Sequence, residues 1–528
     1  MSIAKDNFIY VIMLVLLAVF AYMDYRYLDL EFLAYTNGDE FMQYHSLLRM
    51  YEGILNFNIE DLFRFDSYVY GFVWHLLNLA VVAPFHMIGD THMVIFMPRL
   101  LSGVFSVLCL FMIFKIARLF LDYFYSYGIV FLVIFMSGFY IEGYVFKPNV
   151  FQALLLLVSC YFLIKDNFVF NKNFYFGVLF FGLSVGAAKI QAIMFLPLIY
   201  LYIGVVFLRQ PNISNFKFIL KYGIFSTLAI VAIFVITNPY ILHSRGFGAW
   251  WWLFVHNMQS NATNHGSYID VSLSDKIFDV IDFYYFEIVL FIAIIVFCLF
   301  FLYQFFKSKD KNLDIFFPVI CSMLISLFYL FFFVNKTWSG YYVSSIYLCV
   351  LAFIPFFIRF HSKKLLALML LLQMGGVALN KSYLEAFDKY NIDLSLAKLK
   401  SNDLISTLSP QLSQCKKDIN ILTDNPSFEY NKLGITSKNI FQIFGRIEPD
   451  FFIEEEFLKK SNSKNLKYFS NANIVILNKD SMWFDKSKIK NPNDEFLLKS
   501  LDTISKMQDF GFKRIESKYF IIYISDDC

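Results

Sequence analysis

Between residues 7 and 380 the sequence returns repeatedly to apolar runs of about twenty residues, each enough for a helix to cross roughly 30 Å of hydrocarbon. In lipid such a run can satisfy its own backbone only as a helix. The chain is therefore expected to be a polytopic α-helical membrane protein. Composition excludes the alternative, because a chain of 528 residues that is 58% hydrophobic and 16% charged could not remain in solution as a globule. The net charge of +3 is too small to argue for a nucleic-acid partner. Polar residues become commoner after about residue 385, which divides the chain into a transmembrane part, 1–381, and a soluble part, 382–528.

The distribution of positive charge sets the expected topology, since Lys and Arg collect on the cytoplasmic side of spans. The stretch 68–89 is apolar but interrupted by Trp74, His75, Asn78, Pro84 and His86, which suits a helix lying in the interface. With that stretch not crossing, spans fall at roughly 7–23, 97–119, 124–141, 148–164, 174–188, 190–208, 222–238, 288–306, 315–334, 341–358 and 365–380. Fourteen Lys and Arg then lie in short cytoplasmic ends and loops, against only Lys147, Lys189 and Lys336 in short external turns. Counting 68–89 as a crossing inverts that pattern for everything after it. The expectation is eleven spans, a cytoplasmic N-terminus, and long external loops at 24–96 and 239–283.

The soluble part alternates strand-like and helical pieces. Ile419 to Thr423, Asn473 to Leu477, Lys513 to Glu516 and Phe520 to Ile524 read as strands, and Phe496 to Gln508 as a helix. A small external α/β or α+β domain is expected. Five cysteines lie in apolar segments and read as core residues, whereas Cys415 and Cys528 could pair in an oxidising compartment.

Ionisable residues gather on the external face. Asp39 and Glu40 open a helical pattern just after the first span, and Arg99 stands at the outer mouth of the second. Glu142 and Lys147 follow the third span, Lys189 joins the fifth and sixth, Arg245 lies in the second long loop, and Lys336 precedes the tenth span. His45, His256 and Tyr341 are further candidates on this face. Ionisable groups at membrane depth are costly, so their clustering points to a site. Each has a plainer explanation: Asp39 and Glu40 complement a helix start, with Asn37 and Glu40 as a capping pair, and Lys147 and Lys336 can extend to the surface. Arg99 runs against the positive-inside trend, and Lys189 has little room in its short connection. The histidines lack helix-borne metal spacing, so no metal ligands are assigned. As a set, the cations suit a phosphate and the carboxylates suit proton removal from an attacking hydroxyl.

The motifs, taken in order, resemble a known family. Asp39-Glu40 before a helix ending at Gly53, Arg99, Lys147-Pro148-Asn149, Gly182-Leu183 with Ala188-Lys189, Asn238-Pro239-Tyr240 and Gly340-Tyr341-Tyr342 are similar to motifs of the GT-C glycosyltransferases. The nearest likeness is to protein O-mannosyltransferases and the bacterial enzymes that move aminoarabinose onto lipid A, over about residues 7 to 360. The resemblance implies sugar transfer from a polyprenyl-phosphate carrier to an acceptor glycan, lipid or protein at the external face of the membrane; the Phe-, Lys- and Asn-rich usage suggests a bacterial source, and so a bacterial inner membrane. It implies Asp39 as the catalytic carboxylate, Glu40 as its neighbour and Arg99 as the arginine associated with the carrier phosphate. Two positions depart from the family: Ser339-Gly340-Tyr341-Tyr342 stands where an Arg-Tyr pair is common, and Asn149 where an acid is frequent.

The expected reaction is a single inverting displacement. Asp39 acts as base, Glu40 positions the acceptor or the carboxylate, and Arg99 with Lys189, joined by Arg245, stabilises the departing lipid phosphate. The leaving group is already activated, so no divalent metal is obligatory. A transporter or flippase for polyprenyl-linked glycans is the rival from another class, and an oligosaccharide transferase or ligase the rival enzyme. The near absence of mid-span charge disfavours the transporter.

Overall fold

The structure is a computed structural model. It describes residues 2–25, 28, 38–63, 70–263, 271–307, 311–379, 382–413, 415, 419–424, 428–435, 440–442, 473–479, 504–505, 507–525 and 528. Among these, eight helices are long and apolar enough to cross a membrane: Asn7–Tyr25, His92–Arg118, Asn149–Asp166, Ile190–Arg209, Ile213–Thr237, Ile288–Lys307, Asp314–Phe333 and Val343–Phe360. A ninth crossing is formed if Tyr123–Ile134 and Ser137–Tyr144, bent by 66°, act as one span. The protein is a multi-pass helical membrane protein.

All eleven expected spans coincide with helical structure, but two are shorter than a full crossing. Lys172–Leu183 has 12 residues and Lys363–Leu379 has 17. The first ends where the backbone widens into the π-helical turn Ser184–Ala188. From Phe72 to Met87 the ambiguous stretch forms a 16-residue helix. At 1.5 Å per residue that is roughly 24 Å, too short to cross a hydrocarbon core unaided. Helix Thr91–Arg118 is the hub, packing against Ser2–Tyr25, Phe72–Met87, Ser137–Tyr144 and Asn149–Asp166.

Beyond the spans, helix Ser382–Leu412 runs for 31 residues to a five-stranded sheet. Its strands are β1 (Ile421–Thr423), β2 (Ile440–Gln442), β3 (Ile474–Asn478), β4 (Phe512–Glu516) and β5 (Phe520–Ser525), in the order β2-β1-β3-β5-β4. β1 runs parallel to both β2 and β3, while β5 is antiparallel to β3 and β4. Four strands fall where the alternation places them. β2 does not announce itself, because three residues are too few to show a period. The expected helix Phe496 to Gln508 lies mostly outside the described residues, and its end forms the 3₁₀ turn Met507–Phe510. A disulfide joins Cys415 to Cys528 across 113 residues, tying the last residue of the chain to the end of the long helix.

Candidate active site

The local backbone explains why charged side chains meet at one place. Lys189 sits in extended conformation (φ −154°, ψ 129°) between the π-helical turn and the 3₁₀ helix Ile190–Phe195. Interruptions of this kind re-aim a side chain that a continuous helix would hold elsewhere. The break is held from two sides. Gly71 N–H donates to the Ala188 carbonyl at 2.8 Å, and Tyr70 forms a single β-bridge with Lys189. A Cβ on Gly71 would stand 2.3 Å from the Ala187 carbonyl, so only glycine permits this approach. Asn238 closes the other side: its amide donates to Gly186 O (2.8 Å) and Phe234 O (3.0 Å) and accepts from Phe72 N–H (3.2 Å). The Asn238-Pro239-Tyr240 motif is thus a staple that joins three helix ends.

Lys189 Nζ donates to Asn149 Oδ1 at 2.9 Å, and Asn149 Nδ2 donates to Glu142 Oε2 at 3.1 Å. Ser339 Oγ donates to the other Glu142 oxygen at 2.5 Å. The bent pair delivers Glu142, whose short helix is anchored by Ser137 Oγ donating to Phe283 O at 2.8 Å. The helix that begins at Asn149 delivers the amide. The turn Ser339–Tyr341 delivers the hydroxyl, with Tyr285 OH donating to Ser339 O at 2.7 Å. One amide therefore stands between an ammonium and a carboxylate that do not touch.

These groups line a cavity of about 800 Å³ together with Lys147, Tyr70 and Tyr341. One side is apolar, with Ile193, Met194, Phe254, Met258 and Ile325. Ile193, Met258 and Ile325 are each about half exposed, so this side opens outward between the helices. Tyr284 also lines the cavity, and its phenol is raised above the ordinary range by burial and by the nearby Glu142 charge.

A second buried constellation lies apart from the cavity lining. Arg99 and Glu40 form a two-point ion pair, Nε to Oε1 at 3.0 Å and Nη2 to Oε2 at 2.8 Å, both side chains almost fully buried. Phe146 N–H donates to Glu40 Oε1 at 3.0 Å. Phe146 lies between the cavity residues Val145 and Lys147, so Glu40 braces the cavity wall from behind.

The structure thus brings Glu142, Lys147, Lys189 and Tyr341 to one cavity, and of the other candidates with described side chains, Glu40, Arg99, Lys336, Arg245 and His45 lie outside its lining. Lys336 is buried behind the wall, donating to Asn261 Oδ1 at 3.1 Å, with its amine 4.8 Å from the Trp338 ring centre. Arg245 is half exposed and pairs with Glu60 at 3.6 Å, outside the cavity lining. His45 is partly buried on the helix Gly38–Leu55 and does not line the cavity. Asp39 belongs to the first turn of that helix, and His256 to the helix Ser244–Thr263. The side chains of both lie outside the described residues. Asn261, Tyr70 and Gln191 also line the cavity and were not anticipated. Asn261 had a signal, the polar run Asn257-Met258-Gln259-Ser260-Asn261 directly after an aromatic one; Tyr70 and Gln191 had none. Among the described residues no group of three or more His, Cys, Asp or Glu is arranged to hold a metal ion.

Fold and site together define a multi-pass helical membrane protein with a charged cavity that opens sideways between its spans. Among solved structures, this fold is shared by ArnT from Cupriavidus metallidurans bound to undecaprenyl phosphate, at a TM-score of 0.56 and 9% identity over 98% of each chain. The same protein in its apo state gives 0.50 at 10% identity, over 92% of this chain and 93% of that one. Archaeal oligosaccharyltransferase AglB from Archaeoglobus fulgidus gives 0.44 at 9% identity, over 88% of this chain and 69% of that one. No protein-family model and no curated protein matches the sequence. The fold is the GT-C fold that the order of motifs resembles.

Proposed function

We propose that this chain is a glycosyltransferase that moves a sugar from a polyprenyl-phosphate carrier to an acceptor hydroxyl. The observation that carries the reading is the cavity itself: two lysines in its lining, and an apolar side that opens between membrane helices. An isoprenoid chain would lie along the apolar opening, and its phosphate would meet Lys147 and Lys189. The donor is a phosphodiester with one negative charge. When the bond from the sugar carbon to the phosphate oxygen breaks, the carrier leaves as a monoester with a second charge, which the two ammonium groups stabilise. A new bond forms from that carbon to the acceptor oxygen, and the acceptor proton passes to a carboxylate base, assigned to Asp39. Glu40 and Arg99 act as positioning residues, holding the start of the Asp39 helix against the cavity wall. The likeness to ArnT, solved with undecaprenyl phosphate, supports the carrier class.

The charge pattern of the loops supports an extracytoplasmic cavity, a cytoplasmic N-terminus, and an external sheet domain from about residue 382. The Cys415–Cys528 disulfide supports the same side for the sheet. The test is the polyprenyl-phosphate sugar pool in membranes that carry either the wild type or Asp39→Asn, measured by mass spectrometry. Asparagine keeps the size and removes the basicity. The expected result is a sugar-loaded carrier that accumulates only with the variant. Identical pools at equal protein level would sink the reading.

A further inference from the structure

Glu142 is a carboxylate at the cavity surface whose partners are both neutral, the Ser339 hydroxyl and the Asn149 amide. Among the described residues no Lys, Arg or His forms an ion pair with it, although Lys189 is held by the same amide. A carboxylate offers about four acceptor positions. Here two are met, both by groups of the cavity wall. Glu142 lines the same cavity as Lys189, the space in which the group attached to the carrier phosphate would lie. Tyr284 and Gly340 close that part of the wall, and a Cβ on Gly340 would stand 2.2 Å from Asn149 Nδ2 and 3.0 Å from Glu142 Oε2. The backbone is pressed against both side chains, which leaves the carboxylate little freedom to turn away.

From this we infer that Glu142 selects the donor sugar by charge: it accepts hydrogen bonds from hydroxyl or amine groups and rejects a sugar that carries a carboxylate. The inference rests on the carrier reading above and adds the class of glycosyl group, a neutral or amino sugar and not a uronic acid. Like charges brought together in a partly dry cavity repel strongly, and a repulsive element discriminates without any new attraction. Lys147 and Lys189 are assigned to the phosphate, so the sugar meets Glu142 as its nearest charged neighbour.

The test compares three synthetic lipids of equal prenyl length in binding to the full chain in detergent: the prenyl phosphate alone, the prenyl-phosphate hexose, and the matching prenyl-phosphate hexuronic acid. Native mass spectrometry reads the relative affinities. The wild type is expected to favour the hexose over the uronic acid by about tenfold or more, and Glu142→Gln to bring that ratio within about threefold. The prenyl phosphate alone is expected to bind both proteins, and Glu142→Gln no more weakly than the wild type, since the substitution removes a negative charge from the same cavity. Equal binding of the two sugars by the wild type overturns the inference, whether or not the variant folds. A ratio that survives Glu142→Gln overturns it as well. Failure of the prenyl phosphate itself to bind overturns the carrier reading, and this inference with it.

Discussion

Two buried groups in this protein each set a cation near a glutamate, for opposite ends. At Arg99 and Glu40 the charges touch at two points, a backbone N–H meets the carboxylate, and both side chains are sealed. At Lys189 and Glu142 an amide holds the charges apart, at the surface of a cavity. The first arrangement binds two helices to each other through a two-point pair and so fixes them in place. The second leaves capacity over for something that enters. Burial and charge alone would have ranked the Arg99 pair higher as a site; what separates the two is whether the partners face each other or face open space.

Substitutions can break that comparison. Arg99→Met leaves Glu40 buried without its counter-ion, and removing one partner of such a pair costs about 3–5 kcal/mol. The expected outcome is loss of folded protein, read as yield and melting temperature in detergent. Lys189→Met, by contrast, is expected to leave melting nearly unchanged while lowering transfer by roughly 10²–10³-fold, the usual effect of deleting one donor to a developing oxyanion. If Lys189→Met instead unfolds the protein and Arg99→Met only slows it, the two roles are reversed.

A finer test is Gly340→Ala, which drives a methyl group into Asn149. Overpacking of this kind costs about 1–3 kcal/mol. It should loosen the amide that separates Lys189 from Glu142, so that donor affinity falls more than stability does; equal falls in both would argue against a tuned spacing. The smallest effect belongs to Arg245→Ala. Its pair with Glu60 is half exposed, and such pairs contribute under about 1 kcal/mol. Melting and carrier binding should both stay near the wild type, and a large loss of binding would return Arg245 to the phosphate site.

The apolar runs by themselves determined that the chain is a bundle of membrane helices, because a span must satisfy its own backbone and so leaves its mark in a local window of sequence. Strand positions in β1, β3, β4 and β5 were local in the same way, and the order of motifs was enough to suggest the fold. Which candidates meet was not local. Arg99 finds Glu40 across 59 residues, and Lys189 finds Asn149 across 40. Asn149, a departure from the family pattern in sequence, becomes the link between the two charges of the cavity. Side chains so far apart in sequence are brought together by how helices pack and where they break, at Gly71, at the π-helical turn before Lys189 and at the bend before Ser137. Hydropathy records that a helix exists; the contacts between helices decide whether its charge is sealed against a partner or left facing a cavity.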